Sequence, residues 1–202
     1  MDFEKARFNM VEQQVRPWDV LNPRVLAVIS EVPREQFAPA EYRNLAYVDT
    51  RIPLGSYEDH PLSMAKPTIE GRILQELDIQ DEDLILEIGT GSGYLTACLA
   101  KLGRHVDSVD IDEDMTAMAE KNLQALHINN VNLSTGDASK TWEQKRNYDV
   151  IVISAAMKRI PQSYRKLLKT GGRMFVVTGE APAMTAHRVT RVGNNEWTTE
   201  DL

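Results

Sequence analysis

LILEIGTGSGY, the segment at residues 84–94, carries the pattern that decides the fold. Its apolar half, LILEI, is typical of a buried strand, and the half that follows has a glycine at every second position. Residues 93–103 then have the apolar spacing of a helix, which Gly103 closes. Glycines let the backbone turn sharply and let a ligand approach the main chain closely. The segment therefore predicts a strand, a ligand-binding loop and a helix; a strained turn without a ligand is the alternative.

Strand and helix patterns alternate from this segment to residue 179. The alternation predicts an α/β fold with a Rossmann-like, doubly wound, mostly parallel sheet and helices on both faces. In such sheets, ligands bind beyond the carboxyl ends of the strands. The predicted strands are 84–88, 105–111, 131–137, 148–156 and 173–179, and the predicted helices are 93–103, 113–128 and 161–168.

Helices precede the predicted sheet, within residues 1–80. Asn22 caps one of them, with Pro23 at its first position. Residues 46–67 are rich in Pro, Gly and charge and predict a long loop, with or without short strands. Loops of this length are usually lids or binding segments, so we expect this one to be a lid or to bind the second reactant, and we call it the acceptor loop. The next helix, at 68–78, is expected to face the core with Ile69, Ile73, Leu74 and Leu77.

We expect one domain over residues 1–202. Its parts are the N-terminal helices and acceptor loop at 1–80, a ligand-binding core at 81–180 and a C-terminal strand region at 181–202. The last strand pattern stops where a partner strand is expected. Either the chain is truncated there or another subunit completes the edge of the sheet.

The composition argues against several classes of partner. The 202 residues carry a net charge of −7, whereas phosphate binding favours a basic surface, so we expect neither a nucleic acid nor an anionic membrane. A single cysteine, Cys98, leaves no disulfide within the chain and suits a reducing compartment. There is no apolar stretch of signal-peptide or membrane-span length. We therefore expect a cytoplasmic protein, and the oligomeric state stays open.

Glu87 distinguishes between two nucleotide cofactors. A dinucleotide loop has the spacing G-x-G-x-x-G and binds a pyrophosphate. This loop reads G-x-G-x-G, with an acid two residues before its first glycine. A carboxylate there would repel a pyrophosphate but would suit a ligand that bears an ammonium and a sulfonium group. We therefore predict S-adenosylmethionine rather than NAD.

Two further carboxylates follow later strands of the predicted sheet. Asp110 ends the second strand, twenty-one positions after Gly89, where an acid accepts both hydroxyl groups of a ribose. A helix cap is the alternative role for Asp110, but Asp112 fits that role better. Asp137 follows the third strand and can accept a hydrogen bond from an adenine amino group, although Gly-Asp at a strand end is usually a turn.

Seven segments resemble the protein-L-isoaspartate O-methyltransferase family, in the family's order: MVEQQV, VPREQF, AYVD, LEIGTGSGY, GDA, YDVIVISAA and LLKTGGRMFVVTG. The glycine segment is shared by many methyltransferases, whereas the first two are more specific to this family. The resemblance implies a class I methyltransferase fold, S-adenosylmethionine as cofactor, and methyl transfer to a carboxylate of a damaged protein or peptide. It implies a cofactor site made of Glu87, Ile88, Gly89, Thr90, Gly91, Ser92, Gly93, Asp110, Ile111, Asp137 and Ala138.

The resemblance also reveals a departure, in the loop before the glycine segment. The family carries Thr-Ile-Ser two residues before a proline, and that serine is associated with methyl transfer. Counting back from Pro67 puts Ala65 in the place of the serine and Ser63 in the place of the threonine. Ser63 is the candidate catalytic residue, but it reaches the serine's position only with a backbone rearrangement. We expect Tyr47, Asp49 and Ala65 to shape the acceptor cleft; the alternative for Tyr47 and Asp49 is a packed tyrosine beside a solvated acid.

This departure leaves three functions open: methylation of isoaspartyl residues, methylation of another acceptor such as a small molecule, and cofactor binding without catalysis. A carboxylate acceptor has a pKa of about 4 and needs no base at neutral pH. The four scattered histidines suggest neither a Ser-His-Asp set nor a metal site. Arg34 is expected to pair with a neighbouring acid or to guide an acidic substrate, and Cys98 to be a small buried residue.

Overall fold

A computed structural model describes residues 1–142 and 146–202. Helices and strands alternate through most of the chain, as expected for an α/β protein. The helices are α1 Phe3–Met10, α2 Pro23–Glu31, α3 Pro67–Leu77, α4 Tyr94–Leu102, α5 Glu113–Ala125 and α6 Gln162–Leu167. The strands are β1 Ile52–Tyr57, β2 His60–Met64, β3 Leu84–Ile88, β4 His105–Asp110, β5 Val131–Thr135, β6 Tyr148–Met157, β7 Leu168–Glu180, β8 Ala183–Gly193 and β9 Glu196–Asp201.

The described residues form a seven-stranded sheet with the order β5-β4-β3-β6-β7-β8-β9. The pairs from β5 to β7 are parallel, and β8 and β9 continue the sheet as antiparallel strands. The direction of winding reverses between β3 and β6, and such a reversal opens a crevice at the carboxyl ends of the strands. The prediction of a Rossmann-like, mostly parallel sheet is confirmed.

Both faces of the sheet are buried, because side chains alternate from one face to the other along each strand. In β6, Val150 and Val152 pack with the helices α2, α3 and α4, whereas Ile151 and Ile153 pack with Tyr164 of α6. All four of these strand residues have no exposed surface. Two apolar layers therefore hold the strands in place and fix the positions of their carboxyl ends.

The N-terminal helices follow the predicted pattern with one exception. The Asn22 side chain accepts a hydrogen bond from the Arg24 backbone and caps α2, as predicted. In α3, Ile73, Leu74 and Leu77 are buried as predicted, but Ile69 is 37% exposed, so its inward assignment is wrong. Residue 69 lies in the first turn of α3, on the side away from the buried Thr68 and Glu70.

Residues 52–64 of the expected loop form an antiparallel hairpin of β1 and β2. Its connection is Glu58-Asp59, and both residues have positive φ, 45° and 64°. Two central residues with positive φ match the right-handed twist of the strands on either side. Of the two alternatives for this segment, the one with short strands is therefore confirmed, and the strand pair stands apart from the main sheet.

Gly103 ends α4, but not in the left-handed conformation that usually selects glycine at a helix end. Its φ is −116°, and a Cβ on it would lie 2.6 Å from the Cδ1 atom of Ile85. Close packing of α4 against β3 therefore explains this glycine. Among the residues that the structure describes, no helix has both the length and the apolar character needed to cross a bilayer.

Candidate cofactor and acceptor site

The glycine loop, residues 89–93, lies at the crevice between β3, β4 and β6. The Gly89 backbone donates to the Val109 carbonyl of β4 at 2.8 Å. Gly89 has a φ of 99°, and a Cβ on it would collide with the Ser154 hydroxyl of β6. The Ser154 hydroxyl also donates to the carbonyls of Ile88 and Gly89, both at 3.0 Å. The loop is therefore fixed between two neighbouring strands.

The other sides of the glycine loop contact α5 and the hairpin. Asn122 of α5 donates its side-chain amide to the Ser92 carbonyl at 2.9 Å. A Cβ on Gly91 would lie 3.5 Å from the Cδ1 atom of Leu54 in β1, so the hairpin covers this part of the loop. The sequence predicted the loop but not the strand that lies over it.

Glu87 lies beneath the loop and has no exposed surface. One oxygen, Oε2, accepts hydrogen bonds from the hydroxyls of Thr96 at 2.5 Å and Ser108 at 2.7 Å. The other, Oε1, is buried and has no hydrogen-bond partner among the described residues. Burial raises the pKa of Glu87 to about 7, although the two hydroxyl donors lower it. A buried hydrogen-bond acceptor without a partner costs free energy, so the Oε1 atom is suited to a hydrogen-bond donor that a ligand supplies.

Asp110 joins the loop to the start of α5. Its side chain accepts from the Gly91 backbone at 2.8 Å and from the Asp112 backbone at 3.1 Å. Each carboxylate oxygen has a further lone pair, so the carboxylate can still accept ligand hydroxyl groups. Asp112 accepts from the Asp114 backbone and caps α5, the role expected of it. The neighbouring Ile111 is 43% exposed beside this edge, as a residue that contacts a ligand ring would be.

The tip of β5 meets the same edge of the sheet. Gly136 donates its backbone N–H to the Asp110 carbonyl at 2.8 Å. Asp137 is exposed, and a hydrogen bond from the Ser139 backbone lowers the pKa of its carboxyl. The Ala138 carbonyl accepts from the Tyr164 hydroxyl at 2.6 Å, which anchors this segment to α6. The tips of three strands, each with a predicted cofactor residue, therefore converge at one edge.

The residues predicted to shape the acceptor cleft, and the candidate catalytic Ser63, differ in their solvent exposure. Tyr47 is 5% exposed and donates its hydroxyl to Glu35, which favours the packing interpretation of this tyrosine. Asp49 is half-buried and accepts from the Thr68 hydroxyl at 2.7 Å. Ser63 is exposed near the end of β2, opposite Pro53 and away from the hairpin connection, and Ala65 follows that strand directly. The roles of these residues in catalysis stay predictions.

Three features of the described residues had no local signal in the sequence. Arg34 pairs with an acid, as expected, but the sequence did not indicate which one: the partner is Glu70, thirty-six residues away, inside the protein. A cavity of about 650 Å³ follows Ala138 and is lined by residues 139–140 and 156–163. His187 bridges the Thr178 hydroxyl and the Asp201 carboxylate, both at 2.7 Å, so a Thr-His-Asp chain exists that the scattered histidines did not suggest.

The comparisons with known proteins agree with this arrangement. The model of the family "Protein-L-isoaspartate(D-aspartate) O-methyltransferase (PCMT)" matches residues 6–202. The chain belongs to this family. A protein-L-isoaspartate O-methyltransferase of Petrotoga mobilis is 33% identical over 201 residues, which are 99% of this chain and 92% of the relative. One of Gloeobacter violaceus is 38% identical over 170 residues, 84% of this chain and 81% of the relative.

Solved structures of this family share the fold. A protein-L-isoaspartate O-methyltransferase matches with a TM-score of 0.81 and 22% identity, over 98% of this chain and 62% of its own length. A putative family member of Plasmodium falciparum, solved with S-adenosyl-L-homocysteine, matches with a TM-score of 0.78 and 18% identity, over 100% of this chain and 94% of its own. The resemblance drawn from the seven sequence segments is confirmed.

Proposed function

We propose that this chain is an S-adenosylmethionine-dependent methyltransferase that modifies a carboxylate of isoaspartyl residues in damaged proteins. The observation that carries this proposal is the convergence of the glycine loop, Glu87 and Asp110 at the switch point of a sheet that belongs to this family. The buried thiol of Cys98 and the net charge of −7 support a cytoplasmic location without nucleic-acid or membrane partners.

The residues present fit S-adenosylmethionine. The orphan Oε1 atom of Glu87 suits an ammonium group, and its carboxylate favours a positively charged ligand. Asp110 would hold the ribose, and Asp137 with Ala138 would flank the adenine. When bound, S-adenosylmethionine supplies a methyl group on a positively charged sulfur.

The protein's own contribution is alignment and exclusion of water. A carboxylate acceptor is already ionised at neutral pH, so no side chain has to remove a proton. Methyl transfer then depends on how closely the two reactants are held. The hairpin lies over Gly91 through Leu54, and it is therefore the element best placed to cover the crevice.

A second candidate function follows from Ala65. This residue has no hydroxyl at the position where the family resemblance places one, and Ser63 is exposed on β2, two residues before that position. We therefore expect weak methyl transfer to isoaspartyl peptides. A different acceptor, held by the same cofactor site, is the alternative.

Two measurements on the wild-type protein test the proposal. Calorimetry with S-adenosylmethionine measures cofactor binding, and transfer of a radiolabelled methyl group is followed with an isoaspartyl peptide and with the aspartyl peptide of the same sequence. Slow labelling of the isoaspartyl peptide alone supports the proposed function. The second function is supported if the protein binds S-adenosylmethionine and does not label this peptide, but labels other acceptors in a lysate. Failure to bind the cofactor contradicts both.

A further inference from the structure

Arg34 is a fully buried cation beneath the acceptor segment, which we define as residues 63–67. It lies in a 3₁₀ turn at Arg34–Gln36 and has 0% exposed surface. Its Nη1 atom donates to Glu70 in the first turn of α3, and its Nη2 atom donates to the Ala65 carbonyl at 2.6 Å. The Nε atom is buried and has no hydrogen-bond partner among the described residues, so the bonds of the two Nη atoms are what fix the guanidinium in one place.

The same guanidinium also contacts a buried residue that adjoins the glycine loop. Its Cζ atom lies 4.6 Å from the centroid of the Tyr94 ring. Tyr94 is the first residue of α4 and follows the glycine loop directly, and its ring packs edge-on against Phe37 at 5.6 Å. The Arg34 side chain therefore contacts the acceptor segment, α3 and the start of α4.

We propose that Arg34 is a positioning residue for methyl transfer: its contact with the Ala65 carbonyl sets the acceptor segment against the start of α4. The proposal rests on the proposed function, because it assumes that residues 63–67 border the methyl acceptor. It deepens that function by explaining how a segment without the expected hydroxyl is still held in a defined place.

The planar guanidinium is what allows both contacts at once. Arginine presents several N–H donors in a rigid fork, whereas the ammonium of lysine is a compact point charge on a flexible chain. Arg34→Lys therefore keeps a cation near Glu70 but loses the fixed pair of bonds to Glu70 and Ala65.

A double apolar variant separates positioning from folding. Arg34→Met combined with Glu70→Leu removes both charges together, which is far milder than leaving one buried charge unpaired. The matched control is Arg173→Met with Asp83→Leu. Arg173 contacts Asp83 at 2.7 Å and the Leu77 carbonyl at 2.5 Å, so it makes the same kinds of bond at the amino end of β3, away from the crevice.

The experiment measures acceptor kinetics, cofactor affinity and hydrogen exchange of the backbone amides in the acceptor segment. For Arg34→Lys and for the double variant, we expect kcat/KM for the isoaspartyl peptide to fall roughly 10- to 100-fold, because small misplacements of reactants have effects of this size. The Kd of S-adenosylmethionine should change less than about 2-fold, since Gly89, Asp110 and Asn122 still hold the loop. Amide exchange in the acceptor segment should accelerate in both variants.

Two results would overturn the proposal: unchanged amide exchange in the acceptor segment, or a loss of methyl transfer that merely follows the folded fraction and appears equally in the control pair. If the wild-type protein transfers no methyl group to the peptide, the proposed function fails at that step. Amide exchange then still decides whether Arg34 positions the acceptor segment.

Discussion

Gly91 has space beside it, and this makes it useful for testing the glycine loop. The nearest atom to a Cβ on Gly91 is Leu54 Cδ1 at 3.5 Å, an ordinary contact distance. Its φ of 53° is left-handed and disfavours residues with a side chain by about 1–2 kcal/mol. A larger side chain here is therefore expected to fill the ligand's space without destroying the fold.

Gly91→Val is expected to abolish measurable binding of S-adenosylmethionine, because the valine occupies the space where the ligand approaches the main chain. Gly171→Val is the matched control: Gly171 has a φ of 83° and open space around it, but it lies far from the crevice. Calorimetry should show binding by the control and none by Gly91→Val, while both variants unfold cooperatively. Equal affinity in the two variants would remove the glycine loop from the site.

Asp110 and Asp112 are two neighbouring acids with different expected roles. Asp110→Asn replaces a carboxylate that accepts from two backbone amides and has capacity left for ribose hydroxyls. We expect its Kd for S-adenosylmethionine to rise roughly 10- to 100-fold, since a hydrogen bond to a charged group contributes about 1.5–3 kcal/mol. Asp112→Ala removes only the cap of α5 and should lower the free energy of unfolding by about 1 kcal/mol. Weaker cofactor binding by Asp112→Ala alone would show that the roles are reversed.

The hairpin is the element for which sequence reasoning was least complete. Its strands contain Pro53 and Pro61, and proline is unfavourable inside a sheet. Its connection lacks the Asn-Gly or Asp-Gly pair that marks a two-residue turn. The pattern was therefore ambiguous between a loop and short strands, whereas β3, α4 and β4 were recognisable from apolar runs and glycine positions.

Ala65→Ser tests whether the end of the hairpin carries the acceptor chemistry. If Ala65 occupies the place of the family's serine, the added hydroxyl can donate a hydrogen bond to the acceptor carboxylate and should raise kcat/KM for an isoaspartyl peptide by about 10-fold or more. The position is half-buried, so the small hydroxyl fits beside the solvent. Methyl transfer to the peptide is measured against the wild-type protein.

Ser63→Ala provides the counterpart to that variant. Ser63 is exposed on β2, so its loss should leave turnover within about 2-fold if Ala65 marks the relevant position. A large loss in Ser63→Ala, together with no gain in Ala65→Ser, would instead make Ser63 the catalytic residue and would require the hairpin to rearrange.

At the scale of the whole molecule, the sheet explains why distant residues lie at one edge. Parallel strands end at a common edge, so Glu87, Asp110 and Asp137 meet there although fifty residues separate the first from the last. This convergence could be predicted from strand order alone. The Arg34–Glu70 pair and the Thr178–His187–Asp201 chain could not, because each depends on how separate elements pack and has no local spacing rule.

The burial of Glu87 makes the stability of the whole protein depend on pH. Its pKa rises from an ordinary 4.5 to about 7 in the folded state, so the folded state retains this proton over a range where the unfolded chain has lost it. The free energy of unfolding therefore falls as pH rises from about 4.5 to 7. Glu87→Gln removes this dependence on pH. The free energy of unfolding of the variant minus that of the wild-type protein should therefore increase by about 2 kcal/mol between pH 5 and pH 8.

Urea unfolding of both proteins at pH 5 and pH 8 measures this difference. Glu70 is also buried with a raised pKa and is present in both proteins, and its charge is one of the causes that raise the pKa of Glu87. The same variant should bind S-adenosylmethionine more weakly, because an amide lacks the charge that favours an ammonium group. An advantage that stays constant with pH would mean that Glu87 is ionised in the folded protein at pH 5.

A crystal structure of the wild-type protein with S-adenosylhomocysteine tests the central claim most directly. The ligand should lie along residues 87–93, with both ribose hydroxyls donating to Asp110 and the adenine amino group donating to Asp137. A ligand found elsewhere on the protein would contradict this prediction. So would the absence of bound ligand at about 1 mM S-adenosylhomocysteine, because a Kd as high as about 1 mM already corresponds to weak binding.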